Sequence, residues 1–595
     1  MVTVRFIVIF AEIMADFFKM AEKDRIEKKI RIMHTTDVHG ALFSHDFIEN
    51  GPARGALSRV YAFVCRERER YPDALVLLDG GDVLQGQPTA YYYNFVETQS
   101  PHLVADVMNH MRYDALCIGN HDLEMGHAVY DRFVSQCRFP VLAANLVDEH
   151  TGKPYFKPYT VLERQGVRIA VLGLITSAIP HWVPKDQWRG MAVQDMVDAA
   201  SRWVAYIQEH EKPDVLVGLF HSGWDGGIVT EAFSENVSCR IAHEVDGLDV
   251  ICYGHDHQKH VEVVTNKAGR KVYCVGLWSL ATSVSVIDVT LHYAEGRLTG
   301  KKIRARIQNV MYETDPAVYE FERKYADASA LIASYVNQRI GCFERAIHSQ
   351  DAYFGSSAFM DLIHDMQLKI SGADVSFAAP LTFDTVIHKG DIYIRDMFHL
   401  YKYENMICVL ALRGSEIKGI LEMSYGLWTD RMQTPEDHIM KMAPLLDHGR
   451  RLGFVNLAFN FDSAAGIRYT VDVTRPEGER IQIESMSDGR PFHPDTVYQV
   501  VTNSYRAYGG GELFTRGAGL NHDELQRRIL RISEKDIRYH FIEYIRRREH
   551  VRAEAMGHWR FVPEEWADEA CRRDRAILFG NYESNDDETH CGKDC

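Results

Sequence analysis

Ile32-Met33-His34-Thr35-Thr36-Asp37-Val38-His39 runs from apolar residues straight into a carboxylate and an imidazole, and that transition decides the fold. It recurs in Leu75 to Leu78 before Asp79-Gly80-Gly81-Asp82 and in Ala115 to Ile118 before Gly119-Asn120-His121-Asp122. It recurs again in Val215 to Phe220 before His221-Ser222-Gly223, and in Val250 to Tyr253 before Gly254-His255-Asp256-His257. A short apolar run closed by glycine and polar residues reads as a buried parallel strand. In open α/β sheets, ligands gather outside the carboxyl ends of such strands. The pattern therefore predicts that Asp37, His39, Asp82, Asn120, His221, His255 and His257 converge on one crevice.

Taken singly, the motifs are weak. Asp-x-His is common at turns and helix starts, and Gly-Asn-His-Asp is ordinary turn composition. Two histidines at one glycine turn, as in Gly254 to His257, serve a core less readily. The five together, in this order, carry the reading. Mixed histidine and carboxylate donors without cysteine suit Zn, Mn, Fe, Co or Ni better than Mg or Ca. Asp82 is well placed to bridge two such ions. A pair about 3.5–4 Å apart clamps a phosphoryl group and turns a bridging water into hydroxide able to attack phosphorus.

Size and charge narrow the field. At 595 residues the chain exceeds one hydrophobic core, which predicts two sizeable domains. A net charge of −16 argues against a surface for nucleic-acid polymers, but not against a small phosphorylated substrate whose site carries metal charge. No stretch has the length of apolar sequence that a membrane span needs. Near the N-terminus, Phe6 to Ala11 resembles the start of a signal peptide, yet Glu12 and Asp16 interrupt it and no small-x-small cleavage pattern follows. The 11 cysteines are scattered and odd in number, and Cys117, Cys252, Cys274 and Cys408 fall inside expected strands. They read as small buried hydrophobes and favour a reducing compartment.

The alternation of strands and helices predicts α/β architecture for residues 29–307, after an extension over 1–28. Residues 308–341 read as a connector built on one long polar-faced helix, Pro316 to Gln338, with proline at its first position. A second mixed α/β pattern covers 342–560, and 561–595 reads as a polar, partly disordered tail.

The first half resembles a calcineurin-like metallophosphoesterase over Arg31 to Val289. The resemblance implies a four-layer α/β/β/α domain and two divalent metal ions. One ion would be held by Asp37, His39, Asp82 and His257, the other by Asp82, Asn120, His221 and His255. His121 would stand beside the scissile phosphate as a charge stabiliser and proton donor. In relatives of the 5′-nucleotidase type an aspartate three residues later orients that histidine; here the position is Glu124, one methylene longer.

The second half selects the branch. Phe354 to Phe359, Gly372 to Ser376, Tyr401 to Asn405 and Asn503 to Gly511 resemble the 5′-nucleotidase superfamily, on the side of its 2′,3′-cyclic-nucleotide 2′-phosphodiesterase/3′-nucleotidases. The resemblance implies that Tyr403 and Tyr505 sandwich a nucleobase, which any base's π-face permits. Asn405 would bond the base edge or ribose, and Gly509 and Gly510 would form the adjoining loop. By themselves Tyr403 reads as a core aromatic and the glycines as a flexible loop. Gly511 stands where the 5′-nucleotidases usually carry an acidic residue, which favours 2′,3′-cyclic and 3′-nucleotides over 5′-nucleotides or UDP-sugars. A nucleotide-binding protein without turnover is the remaining alternative, and the intact ligand set argues against it. Members of the superfamily are usually periplasmic or secreted, which the cysteine pattern does not echo. The implied partners are small nucleotides and nucleosides.

Overall fold

A computed structural model describes residues 25–229, 233–444 and 452–580. Most of the N-terminal extension and the end of the tail lie outside the described residues. The chain divides into two compact units, Met1–Val336 and Asn337–Cys595.

All five apolar runs are strands, but they divide between two six-stranded sheets. Arg25–Thr35, Leu75–Asp79 and Ala115–Cys117 lie side by side and parallel in the first, flanked by Val141–Leu142 and by the antiparallel pair Ser283–Ala294 and Arg297–Asn309. Val215–His221 and Val250–Tyr253 are parallel neighbours in the second. Ile32, Val76, Leu78 and Cys117 from one sheet pack with Val171, Val217, Leu219 and Cys252 from the other, so the two sheets face each other across a shared core. The opposite face of the second sheet is covered by helices Met196–His210 and Ser238–Glu244. This explains the unbroken apolar runs: strands covered on both faces have no polar alternate. Cys117, Cys252, Cys274 and Cys408 are all buried in strands as small apolar groups.

Three boundaries differ from the sequence reading. Residues from Arg25 already pair with Ala294 and belong to the first sheet, not to an extension. The connector is two helices, Pro316–Lys324 and Ala326–Val336, broken at Tyr325. Asp315 caps the first of them by accepting from Ala317 N, as proline at the next position predicts. They are not a solvated strut. Val318, Phe321, Tyr325, Ile332 and Val336 are buried in the first unit, and Glu322 accepts from Ser44 and Ser58. Finally, Glu564–Phe579 is a helix whose Ala567 and Ala570 join the core of the second unit, so residues 564–579 belong to that unit and not to a disordered tail. Its charged face had masked that small apolar stripe.

The second unit carries a mixed five-stranded sheet in the order Ser463–Ala465, Val375–Ala378, Val497–Asn503, Met406–Arg413, Ile529–Asp536. A smaller three-stranded sheet joins Ile481–Met486, Ile467–Asp472 and Trp559–Val562. Helices Ala358–Ser371 and Gly414–Trp428 pack against these strands.

Candidate metal centre

The loops leaving the five strands bring the expected residues into two groups, buried but for His255 and His257 at the open side. Asp37, His39 and His257 offer ligand atoms within 4.8 Å of one another, and so do Asp82, His221 and His255. Asn120 joins the second group, its Oδ1 lying 3.1 Å from His221 Nε2. Asp37, His39, Asp82, His255 and His257 all adopt positive φ, between 49° and 83°. None is glycine, so each conformation costs energy that the surroundings must hold in place, as at functional sites.

What holds them is a lattice of backbone bonds. Asp37 N donates to Gly81 O and His39 N to Asp82 O, both at 2.8 Å. Asp122 accepts from four backbone amides: Asp82 and Gly119 on Oδ2, Val83 and Leu84 on Oδ1. One buried carboxylate thus ties the Asp82 loop to the Asn120 loop. Glycine is required where the backbone crosses the carboxylates. A Cβ at Gly119 would overlap Asp82 Oδ1, and one at Gly254 would overlap Asp37 Oδ2.

The donor set fits cations. His221 Nδ1 sits 2.7 Å from Gly80 O, and a carbonyl can only accept, so that nitrogen carries the proton. Its Nε2 then faces two further oxygens, Asn120 Oδ1 and Asp82 Oδ2, each at 3.1 Å. Acceptors facing acceptors in a buried site require a positive charge between them. In the protein alone that charge is a second proton. Burial pulls the His221 pKa down, but Asp82 and Asp37 prevail and hold it up at about 9. His39 is held in the same tautomer, with Nδ1 bonded to Gln85 O, which leaves a lone pair on Nε2, 3.1 Å from His257 Nε2. A metal ion can take the place of the second proton on His221 and accept the lone pair of His39, with the carbonyls fixing both tautomers from behind.

The charges agree. Burial pushes Asp37 and Asp82 up, yet the surrounding histidines outweigh it and keep both carboxyls well below the usual range. His39 is pulled down to about 4 by burial, leaving a neutral ring. The group is enclosed on one side and open on the other. Asp37, Asp82 and His221 are buried, whereas the His257 side chain is 43% exposed and that of His121 23%. His121 Nδ1 is bonded to Glu124 Oε2 at 2.6 Å, and its backbone amide donates to Asp82 Oδ1.

Sequence reasoning missed the supporting residues. Asp122 stood inside a quoted motif, but nothing in composition marked it as an anchor. Glu235 accepts at 2.9 Å from His255 Nε2, and Trp182 stacks on the same ring at 5.5 Å. Both come from loops with no local signal.

Residues 30–259 match the family of calcineurin-like phosphoesterases, and residues 333–516 match the 5′-nucleotidase C-terminal domain. The chain belongs to the 5′-nucleotidase family. It is a metal-dependent phosphoesterase of that family. The chain is 26% identical to the 2′,3′-cyclic-nucleotide 2′-phosphodiesterase/3′-nucleotidase of Haemophilus influenzae, over 92% of this chain and 90% of that protein. It is also 26% identical to the trifunctional nucleotide phosphoesterase protein YfkN of Bacillus subtilis, over 90% of this chain but only 39% of that longer protein. Among solved structures, a Staphylococcus aureus protein assigned as a 5′-nucleotidase shares the fold, with a TM-score of 0.71 at 20% identity over 90% of this chain and 100% of the other.

In this phosphoesterase the C-terminal domain places the expected base-binding residues at one end of two paired strands. Ile407 and Asn503 are antiparallel partners, with Tyr403 and Asn405 just before the one and Tyr505 just after the other. Tyr403, Asn405 and Tyr505 are half-buried. Gly510 lies against the Tyr505 ring and has no room for a Cβ, and Gly509 has φ +96°. Arg506 holds this loop: it is buried, ion-paired with Asp462 at 2.7 Å, and donates to Gly510 O at 2.8 Å.

Proposed function

We propose that this phosphoesterase hydrolyses 2′,3′-cyclic nucleotides and 3′-nucleotides, with Asp37, His39, Asp82, Asn120, His221, His255 and His257 holding two divalent ions. The observation that carries it is the set of acceptor atoms around His221 Nε2, whose proton is already committed to Gly80 O on the other nitrogen. Bound Zn, Mn, Co, Fe or Ni supplies Lewis acidity toward the phosphoryl oxygens and a nucleophilic water at neutral pH. The rest falls to the protein. Asp82, with its backbone pinned by Asp122, keeps a charged carboxylate in the centre of the site. His121, backed by Glu124, presents its other ring nitrogen to the substrate. There it stabilises charge on the phosphoryl oxygens and delivers a proton to the leaving alkoxide.

Tyr403 and Tyr505 are the base-binding pair, Asn405 the polar contact, and Gly509 and Gly510 the loop beside them. The full-length resemblance to a named 2′,3′-cyclic-nucleotide 2′-phosphodiesterase/3′-nucleotidase and the glycine at position 511 support this substrate class. The test is phosphate release by Mn- or Co-loaded enzyme from 2′,3′-cyclic AMP, 3′-AMP, 5′-AMP, UDP-glucose and bis-p-nitrophenyl phosphate. The highest kcat/KM belongs to the first two. Preference for 5′-AMP or UDP-glucose would overturn the substrate class and keep the chemistry; two bound metals with no turnover would overturn both. Tyr505→Ala should raise KM for nucleotides and spare the nitrophenyl ester.

A further inference from the structure

Outside this centre, one more group of facing ligand atoms occurs among the described residues: Asp361, His364 and His558 of the second unit, all buried, with one ligand atom from each within 4.8 Å of the others. Asp361 and His364 lie three residues apart on helix Ala358–Ser371 and so share one face. His558 arrives from the irregular segment before strand Trp559–Val562.

The bonding around the group leaves two buried ligand atoms, Asp361 Oδ1 and His558 Nε2, without a hydrogen bond. Ser376 donates its single hydroxyl proton to Gln367 Oε1 at 2.7 Å, so at its 2.9 Å contact with His364 Nδ1 the imidazole must be the donor. His364 Nε2 therefore carries a lone pair, which accepts from the Ser463 hydroxyl at 3.2 Å until an ion takes its place. Asp361 Oδ2 accepts from Ser356 Oγ and Met556 N, each at 2.6 Å, while its Oδ1 has no hydrogen bond although buried. His558 Nε2 is buried and likewise has none, and His558 Nδ1 has a single long hydrogen-bond contact, with Ser356 Oγ at 3.3 Å. Asp361 Oδ1 and His558 Nδ1 stand 3.5 Å apart, beyond the reach of a strong shared proton. That spacing is close to the edge of a tetrahedron around zinc, about 3.3 Å for bonds of about 2.0–2.1 Å.

We propose that Asp361, His364 and His558 form a site for a divalent transition metal of the zinc class, separate from the phosphoesterase centre. Two histidines and a carboxylate match that ion's preferences. The surrounding bonds are those of a prepared site, since Ser376 with Gln367 fixes the His364 tautomer and Ser356 with the Met556 amide orients the carboxylate. The ion would fasten the segment before Trp559 to helix Ala358–Ser371, with the role of a clamp on the second unit.

The test uses the full-length chain, stripped by chelator, reloaded with zinc and dialysed. His558→Ala and Asp361→Asn should each hold about one zinc fewer than the unmutated chain while keeping phosphoesterase activity. Zinc content equal to the unmutated chain would overturn the site. Because these variants could unfold the second unit, a second measurement leaves the cluster untouched. In a His221→Ala/His257→Ala chain, Co(II) should still give the visible bands of a tetrahedral ion at about one equivalent, displaced by zinc. Absence of those bands in a folded chain would overturn the proposal, whatever the fate of the phosphoesterase reading.

Discussion

Glu124 Oε2 lies 2.6 Å from His121 Nδ1, the two residues being three apart on the short helix Asn120–Glu124. The extra methylene that distinguishes glutamate from the family's aspartate is taken up by that helical turn, and the carboxylate still reaches the ring. His121→Asn should lower kcat on nucleotides by roughly 10²–10⁴-fold, and Glu124→Gln by roughly 10–100-fold. Both losses should shrink on a p-nitrophenyl ester, whose leaving oxygen needs no proton. Equal losses on both substrates would show that His121 does not act as the acid.

Gly254 passes so close to Asp37 and Thr36 that any side chain must displace one of them. Gly254→Ala should leave the fold intact, cost about one bound metal and abolish turnover. Metal analysis of the dialysed variant beside its circular dichroism checks both halves of the statement.

Asp122 touches no predicted substrate, yet it collects four backbone amides from two loops. Replacing one oxygen by an amide nitrogen sets a donor against donors. Asp122→Asn should destabilise the first unit by about 2–3 kcal/mol and weaken metal binding with it. Denaturant unfolding and a zinc-chelator competition read the two effects.

Asp79 gives a pH signature. Burial raises its pKa to about 8, with Thr35 Oγ1 at 2.6 Å and Gly81 N at 2.8 Å working against the shift. A carboxyl with a raised folded-state pKa holds its proton where the unfolded chain has lost it. Stability therefore falls as pH rises from the ordinary carboxyl range to about 8, and levels off above. Asp79→Asn copies the protonated shape, with its amide toward Thr35. Its melting temperature relative to the unmutated chain should climb between about pH 4 and pH 8 and then hold steady. A difference that does not vary with pH would mean that Asp79 is ionised throughout.

The apolar runs and the residues closing them were legible in the chain because both are local. A strand covered on two faces must be apolar along its whole length, and the positions after it are set by where it ends. His121 and Glu124 were within reach for the same reason, three residues on one turn.

Other features depend on contacts between distant segments. Two sheets rather than one, the docking of the 316–336 helices, and the anchoring of Glu564–Phe579 come from which faces pack, and no local pattern states that. The tautomers of His221 and His39 are decided by the Gly80 and Gln85 carbonyls, whose direction exists only in the folded backbone. Glu235 behind His255, and His558 opposite Asp361 and His364, are brought together from 20 and 194 or more residues away. The amino-acid order determined the strands and the chemical types at their ends; the tertiary structure decided which lone pairs face one another, because that depends on backbone directions assembled from the whole unit.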